Sequence, residues 1–476
     1  MTSTQFDHLE LTGTEWRALL DRAAARIATH VDSLADQPAH DVDGAAELSR
    51  SLIEPVPEAG TDADALLDLL FERAVPKSFN TAGPGYLAYI PGGGVLHAAV
   101  GDLIAAAVNR YSGVWLPAPA LVQLESNVVR WFAEIVGYPR EARGVLTTGG
   151  SLANLSAIIT ARREKLPDEF LGGTIYVSDQ VHHSVQKAAV LAGFPPDRVR
   201  IVPTDDRFRL RADDLEAAIA QDRTAGRTPF LVVGSGGTVN TGAVDDLDAL
   251  ATICDRHGLW FHVDGAYGGF FQLTERGRAA LRGVERSDSV TLDPHKGLFM
   301  PYGVGSLLVR DGEALRRAHT VRAAYMPEMQ QDPDFWDFCE LSPELSRNYR
   351  GLGVWLPLKL IGLAPFRRAL DEKLDLARWA AARLDEIDGI EIVAQPQLSI
   401  VAFRLTRAGL DEEALNALNR ELLRTINARR RVYLTATTLR GRFVIRICVL
   451  SFRTHRARME MAMEDIREAV RGVSGS

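Results

Sequence analysis

The segment Asp293-Pro294-His295-Lys296 carries an amine whose chemistry depends on its surroundings. It follows the apolar residues 289–292, which predict a buried strand. Burial disfavours a charged ammonium, so the amine becomes a nucleophile that can form a Schiff base with a carbonyl group. A solvated lysine at the end of a strand is the alternative interpretation. The motif alone leaves both open, and the neighbouring motifs decide between them.

A glycine-rich run at 147–154, Thr-Thr-Gly-Gly-Ser-Leu-Ala-Asn, lies between a predicted strand and a predicted helix. Glycines let the backbone approach a ligand, free N–H groups at a helix start attract phosphate, and Ser151 adds a hydroxyl. The alternative is an ordinary glycine turn with a serine cap. The run lacks the Gly-Lys-Ser/Thr ending of a Walker loop and the glycine spacing of a dinucleotide site. It therefore indicates an anion site of another kind.

Two more strands end in polar side chains. His182 and His183 follow the strand predicted at 174–177; if extended, one faces a pocket and the other the surface. A metal site there would need further spaced ligands. Asp264 follows the strand at 259–263, and its burial must be offset by a cation or by hydrogen-bond donors. Small residues after it leave room for a flat ligand, although an aspartate capping the next helix is the alternative.

The elements that must position these motifs alternate between strand and helix from about residue 80 to 320. Such alternation predicts a mainly parallel sheet with helices on both faces, and ligands bind at the carboxyl ends of its strands. All the motifs above fall on that edge. Pyridoxal 5′-phosphate needs this set: an anion site, an acid for its ring nitrogen, a face for stacking and an amine for its aldehyde. The sequence thus predicts this cofactor.

Three regions are expected. Residues 1–80 form an amphipathic helical segment that buries little alone and is expected to pack on another body or subunit, as a dimerisation segment. Residues 81–345 form a large α/β cofactor-binding domain, and residues 346–476 a small C-terminal α+β domain. The polar, aperiodic residues 323–346 predict a long loop, of the kind that often forms a lid in enzymes.

Composition excludes some partners. The 476 residues are 46% hydrophobic and 24% charged, as in an ordinary globular protein, and the net charge of −8 argues against a nucleic-acid or anionic-membrane surface. No signal peptide or membrane-spanning run is evident. The dispersed cysteines Cys254, Cys339 and Cys448 indicate a reduced compartment, so a cytoplasmic protein is expected.

Together these motifs resemble the group II pyridoxal-phosphate-dependent amino-acid decarboxylases, which include the aromatic-amino-acid and glutamate decarboxylases. The resemblance runs from about Leu48 to the C-terminal region, including residues 443–448. It implies the fold type I architecture of pyridoxal-phosphate enzymes, with a mainly parallel seven-stranded sheet, and a homodimer.

The resemblance also implies roles for individual residues. Lys296 carries the cofactor as an internal aldimine, Asp264 pairs with the ring nitrogen, and His182 stacks on the ring, with Ala266 beneath the opposite face. The remaining implied contacts are Gly150, Ser151 and His295 to the phosphate, and Thr238 near the ring and the substrate carboxylate.

The implied reaction is decarboxylation of an L-amino acid, aromatic by preference, to its amine and carbon dioxide. Tyr325 stands where the family carries a catalytic tyrosine on a mobile loop, and it would protonate the carbanion. Relatives with phenylalanine there resemble aldehyde synthases, so tyrosine favours simple decarboxylation. The alternatives are an oxygen-dependent aldehyde synthase, another lyase using this cofactor, or a cofactor-binding protein without catalysis.

The chain departs from the aromatic pattern in its substrate pocket, which draws on positions matching Tyr89, Ile90, Tyr111 and Gly113. A bulky aromatic residue replaces the last of these in animal aromatic-amino-acid decarboxylases. Gly297 likewise replaces a large residue. The chain has no clear set of arginines to bind the side-chain carboxylate of a glutamate or aspartate substrate. Arg110 leaves such an acidic substrate as an alternative. These departures leave the choice of amino acid undecided.

Overall fold

The computed structural model describes residues 9–321, 329–330, 332 and 334–474. Its N-terminal part is helical, as predicted, and continues from its third helix into a π-helical turn at 69–74 and a 3-10 turn at 75–77. Thr12 and Glu15 form a capping box that starts the first helix. No side chain of that helix is buried. The three helices are α1 (Gly13–Ser33), α2 (Ala45–Ser51) and α3 (Ala63–Asp68).

A seven-stranded sheet forms the centre of the molecule, in the order β1-β7-β6-β5-β4-β2-β3. Strand β7 runs antiparallel to β1 and β6, and the other neighbouring pairs are parallel. The mainly parallel seven-stranded sheet is therefore confirmed, with β7 as a strand that the sequence did not predict. The strands are β1 (Arg143–Thr147), β2 (Gly173–Ser178), β3 (Val199–Val202), β4 (Thr228–Ser235), β5 (Trp260–Asp264), β6 (Ser289–Leu292) and β7 (Gly305–Val309).

Helices connect these strands and cover both faces of the sheet, as parallel crossovers require. The carboxyl ends of β1, β2, β4, β5 and β6 consequently meet at one edge. The helices of this part are α4 (Leu96–Val108), α5 (Pro119–Val136), α6 (Gly150–Lys165), α7 (His183–Leu191), α8 (Ala212–Thr224), α9 (Leu247–His257), α10 (Glu275–Ala280), α11 (Pro294–Gly297), α12 (Gly312–His319) and α13 (Gly351–Ile361).

A smaller antiparallel sheet of four strands, in the order β10-β11-β9-β8, has its own apolar core. This agrees with the α+β pattern predicted for the C-terminal region, although β10 was not predicted. The boundaries at residues 80 and 345 stay predictions. The elements are α14 (Leu363–Asp385), β8 (Ile390–Ala394), β9 (Ile400–Leu405), α15 (Glu412–Asn427), β10 (Thr435–Leu439), β11 (Arg442–Cys448) and α16 (Arg456–Ser474).

The predicted long loop is described only in part, and its one regular element there is a 3-10 turn at Phe338–Glu340. Just beyond it, Arg347 forms a fully buried ion pair with Glu125 of α5 (2.6 Å) and donates to the carbonyl of Leu146 in β1 (2.9 Å). These contacts tie the end of the segment to the edge of the large sheet. Within the described ranges, no helix combines the length and the apolarity that crossing a membrane requires.

Candidate active site

A cavity of about 410 Å³ opens at the carboxyl edge of the large sheet. Its size lies in the usual range for small-molecule sites. The structure brings ten of the predicted site residues together in its wall: Tyr89, Ile90, Gly150, Ser151, His182, Thr238, Asp264, Ala266, His295 and Lys296.

Lys296 lies in the short helix α11, directly after β6. Its Nζ atom is 2.9 Å from Oδ2 of the buried Asp293, whose Oδ1 has no hydrogen-bond partner among the described residues. His295 donates from Nδ1 to the carbonyl of Val304 (2.6 Å), which fixes its ring in the cavity wall. The amine is thus held by a buried carboxylate at the cavity, and it is not a solvated strand cap.

The glycine-rich run turns from β1 into α6. The N–H groups of Gly150 and Ser151 lie in the first helical turn, where no earlier helical carbonyl can accept them. A Cβ atom on Gly150 would lie 3.0 Å from Asp293 Oδ2 and 3.2 Å from the Cβ atom of Ala266, so the turn has little room for a side chain. The backbone there is suited to hold a phosphate.

Asp264 ends β5 and is 8% exposed. Its Oδ1 accepts the N–H of Ala266 and its Oδ2 accepts an N–H of Asn154, both at 3.1 Å. The two donors offset the burial of the carboxylate. The Asp264 carboxylate is therefore fixed at the cavity wall rather than capping a helix.

His182 precedes α7. Its Nδ1 accepts the N–H of Ser184 (3.3 Å) and lies 2.7 Å from the Ser184 hydroxyl. Burial lowers the pKa of His182, which favours the neutral ring. The neighbouring ring of His183 lies 4.3 Å away, outside the cavity lining. Within the described ranges, no three or more histidine, cysteine, aspartate or glutamate side chains are arranged to bind a metal ion.

Thr238 also lies in the cavity wall, whereas Tyr111 and Gly113 do not line it. The hydroxyl of Thr238 is 2.9 Å from that of Thr241 and accepts the N–H of Ala243 (3.2 Å). The Tyr111 hydroxyl donates to the carbonyl of Leu345 (3.2 Å). Tyr325 lies outside the described residues.

The cavity wall also contains residues that were not predicted as site residues, among them Asn154, Ser184 and Asp293. Asn154 lies one helical turn after Gly150, so it shares a face of α6 with the glycine turn. That spacing was the available signal for Asn154. The sequence left Tyr302 open between an apolar pocket and core packing, and the structure places it in the cavity wall.

Comparison with known proteins decides the family. The family model described as the pyridoxal-dependent decarboxylase conserved domain matches residues 53–406. The chain belongs to this family. The predicted family and cofactor, pyridoxal 5′-phosphate, are confirmed, and the protein is a pyridoxal-phosphate-dependent amino-acid decarboxylase.

Relatives of this decarboxylase cover nearly its whole length. An aromatic-L-amino-acid decarboxylase of Bacillus atrophaeus is 34% identical over 98% of each chain. A phenylacetaldehyde synthase of Arabidopsis thaliana is 28% identical over 88% of this chain and 89% of its own. The crystal structure of Oryza sativa TDC with PLP and tryptamine has a TM-score of 0.92 at 27% identity, covering 98% and 99% of the two chains.

The residues of the decarboxylase fit the cofactor. The N–H groups that start α6 suit its phosphate, the Asp264 carboxylate suits a protonated ring nitrogen, and Lys296 presents the amine for its aldehyde. The unpartnered oxygen of Asp293 marks a buried polar position in the same wall. When bound, pyridoxal phosphate supplies an aldehyde carbon and a cationic ring that withdraws electrons.

The decarboxylase without cofactor should lose stability in mild acid. His262 in β5 is buried, and burial lowers its pKa to about 4, against about 6.5 in an unfolded chain. Below pH 6.5 the unfolded chain therefore binds a proton that the folded chain does not. The contribution of His262 to the free energy of unfolding is fully present above pH 6.5, and roughly 3 kcal/mol of it is lost as the pH falls to about 4.

Urea unfolding of the cofactor-free protein from pH 7.5 to 4 measures this loss. His262→Gln should give a flatter profile than the parent chain. The profile should keep some slope because burial also lowers the pKa of His319 to about 4. Identical slopes for the variant and the parent would contradict the assignment to His262.

Proposed function

We propose that this enzyme converts an aromatic L-amino acid to its amine and carbon dioxide. The observation that carries the proposal is the cavity that unites the Lys296 amine, the Asp264 carboxylate and the His182 ring. The 34% identity to an aromatic-L-amino-acid decarboxylase over 98% of both chains supports the aromatic substrate class.

Each side chain has a defined task in this proposal. The N–H groups of Gly150 and Ser151 bind the phosphate, with His295 beside them. Asp264 holds a proton on the ring nitrogen, because its fixed negative charge favours the protonated ring. Lys296 would hold the cofactor through its amine at the aldehyde carbon, which is also the position that a substrate amine requires.

His182 and Ala266 provide the surfaces for a flat ring. The neutral imidazole of His182 can stack on one face and exclude water from it, whereas the small Ala266 leaves space at the other. Thr238 lies in the same wall, and its proposed contact is the substrate carboxylate. Expelling water strengthens the Asp264 charge interaction during the loss of carbon dioxide.

The amino-acid side chain has aromatic surfaces available at the cavity wall. Tyr89 and Ile90 line it on one side, and Tyr302 lies near the ring of His295, with 5.6 Å between ring centroids. These surfaces suit a planar apolar group. Tyr325 is proposed as the acid that delivers the proton to the substrate carbon.

Product analysis tests the reaction and the tyrosine together. The parent enzyme, incubated with phenylalanine, tyrosine, tryptophan and L-DOPA, should release carbon dioxide and amine in equal amounts. Tyr325→Phe should slow amine formation by at least about tenfold or divert the product to aldehyde, since a phenyl ring cannot give a proton. Gas release, amine and aldehyde chromatography and a peroxide assay measure these products.

One relative is a phenylacetaldehyde synthase, so aldehyde is the alternative product that this experiment must detect. Aldehyde, ammonia and peroxide from the parent enzyme would replace amine formation as the function. Absence of turnover over all amino acids, despite bound cofactor, would indicate a binding protein. Unaltered amine formation by Tyr325→Phe would remove Tyr325 from the mechanism.

We also propose a homodimer. Helix α4 presents an apolar stripe whose side chains are 41 to 51% exposed in the single chain: Leu96, Val100, Leu103, Ile104 and Val108. An exposed stripe of this length supports burial against another surface. Sedimentation equilibrium at the monomer mass, 52.1 kDa, would contradict the dimer.

A cytoplasmic location is proposed on the three cysteines, which are all free and lie in the described residues. Cell fractionation tests it, and recovery of the native enzyme outside the cytoplasm would contradict it.

A further inference from the structure

Asn154 connects two walls of the cavity through a single amide. It is 1% exposed and lies in α6, with its side chain between β5, β6 and α7. The amide nitrogen is 3.1 Å from Asp264 Oδ2 and 3.1 Å from the hydroxyl of Ser184. The amide oxygen is 2.7 Å from the hydroxyl of Thr291 and 3.1 Å from Nε2 of His262.

The orientation of this amide follows from its neighbours. A carboxylate oxygen only accepts, so the Asn154 nitrogen must face Asp264 and the oxygen must face His262. The oxygen accepts in turn, which places the proton of the neutral His262 ring on Nε2. The other ring nitrogen, Nδ1, is 2.8 Å from the hydroxyl of Ser289.

The hydrogen bonds of Ser289 agree with the assignment of the His262 proton to Nε2. Ser289 accepts the indole N–H of Trp260 (2.8 Å), so its own proton is available for Nδ1 of His262. Burial lowers the pKa of His262 and keeps its ring neutral. The buried donors and acceptors of this branch are thereby all paired, and such networks hold one arrangement.

The second N–H of Asn154 sets the state of His182. It is donated to the oxygen of Ser184, which leaves the Ser184 proton to point at Nδ1 of His182, 2.7 Å away. The backbone N–H of Ser184 points at the same nitrogen. Nδ1 of His182 is therefore an acceptor, and the ring proton lies on Nε2.

We propose that Asn154 is a positioning residue for the cofactor, because one amide orients both the Asp264 carboxylate and the Ser184 hydroxyl, which together with the Ser184 N–H fixes the tautomer of His182. The inference rests on the proposed roles of those two residues toward the ring. Asn154 itself transfers no proton. It couples the charge at the ring nitrogen to the face on which the ring stacks, so loss of the amide should loosen both together.

The first test measures cofactor-site affinity without the Schiff base. The probe is 4-deoxypyridoxine 5′-phosphate, which lacks the aldehyde and reports only the non-covalent contacts, titrated by fluorescence into cofactor-free protein. Asn154→Ala should bind it at least about tenfold more weakly, since a hydrogen bond to a charged group is lost. Asn154→Asp, which places an oxygen against the Asp264 carboxylate, should bind the probe no more tightly than Asn154→Ala does.

Asn419→Ala is the matched control. Asn419 is also fully buried, and it accepts the N–H of Leu405 and donates to the carbonyls of Leu405 and Leu415 in the small domain. Its replacement should lower the melting temperature and leave the probe affinity within twofold of the parent. Equal weakening by Asn419→Ala and Asn154→Ala would reduce Asn154 to a general packing role and overturn the proposal.

The second test reads the tautomer in cofactor-free protein. The chain has 11 histidines, so ¹⁵N-imidazole spectra above pH 7 are assigned with His182→Gln and His262→Gln. The parent should show Nε2–H for both rings. Asn154→Ala, which frees the Ser184 hydroxyl to accept, should introduce Nδ1–H at His182. Ser184→Ala keeps the backbone N–H that points at Nδ1, so it should not, and neither should Asn419→Ala.

The outcomes separate this inference from the proposed function. A parent chain that fails to bind the probe would overturn the proposed cofactor contacts. A parent that binds, with Asn154→Ala binding equally well, would overturn the positioning role alone. An unchanged His182 tautomer in Asn154→Ala would do the same.

Discussion

Lys296→Ala is expected to abolish covalent attachment of pyridoxal phosphate and to slow amine formation by at least about a thousandfold. The amine provides the nucleophile that holds the aldehyde in place, and alanine offers no substitute. The variant also leaves Asp293 buried beside the cavity without its ammonium partner, 2.9 Å away in the parent. Some loss of stability is therefore expected in addition to the chemical defect.

Borohydride reduction followed by peptide mapping separates attachment from folding. In the parent, the label should fall on the peptide that contains Lys296. Lys373→Met is the control, because Lys373 is a fully buried amine that contacts Glu372 and the carbonyl of Thr454 and lies outside the cavity lining. It should melt earlier but keep the label. A labelled, active Lys296→Ala protein would remove the central assignment.

The strands that present the site could be predicted because they are buried on both faces. Such strands appear as continuous apolar runs, as in β4, and the parallel connections bring their carboxyl ends to one edge. Strand β7 begins with Gly305 and Ser306 and runs antiparallel, so its short apolar end gave little signal. Strand β10 is half exposed and rich in threonine, which resembles a polar loop.

The contacts between site residues could not be predicted, because they join positions that are far apart in the sequence and local patterns describe only neighbouring residues. Asn154 and Asp264 are 110 positions apart, and an asparagine in a helix has many explanations. The grouping of Tyr111 and Gly113 with Tyr89 came from resemblance, which does not tell whether such residues meet within one chain. Here Tyr111 contacts Leu345 of its own chain.

Asp264→Asn should reduce amine formation by at least about a hundredfold, although it changes the shape of the side chain little. Electrostatic stabilisation by a fixed charge is often worth that much, and the neutral amide no longer favours a protonated ring nitrogen. Both Asp264 oxygens already accept N–H groups, from Ala266 and Asn154. An amide at position 264 therefore sets its own NH₂ against one of these donors.

Comparison with Asp264→Glu separates charge from geometry. Glutamate keeps the negative charge and lengthens the side chain, so it should recover part of the activity that Asp264→Asn loses. The matched measurements are turnover, probe affinity and melting temperature for both variants. If charge is the cause, Asp264→Asn is the less active of the two even when it is the more stable. The reverse order of activity would mean that the carboxylate acts through packing, and that another group holds the proton on the ring nitrogen.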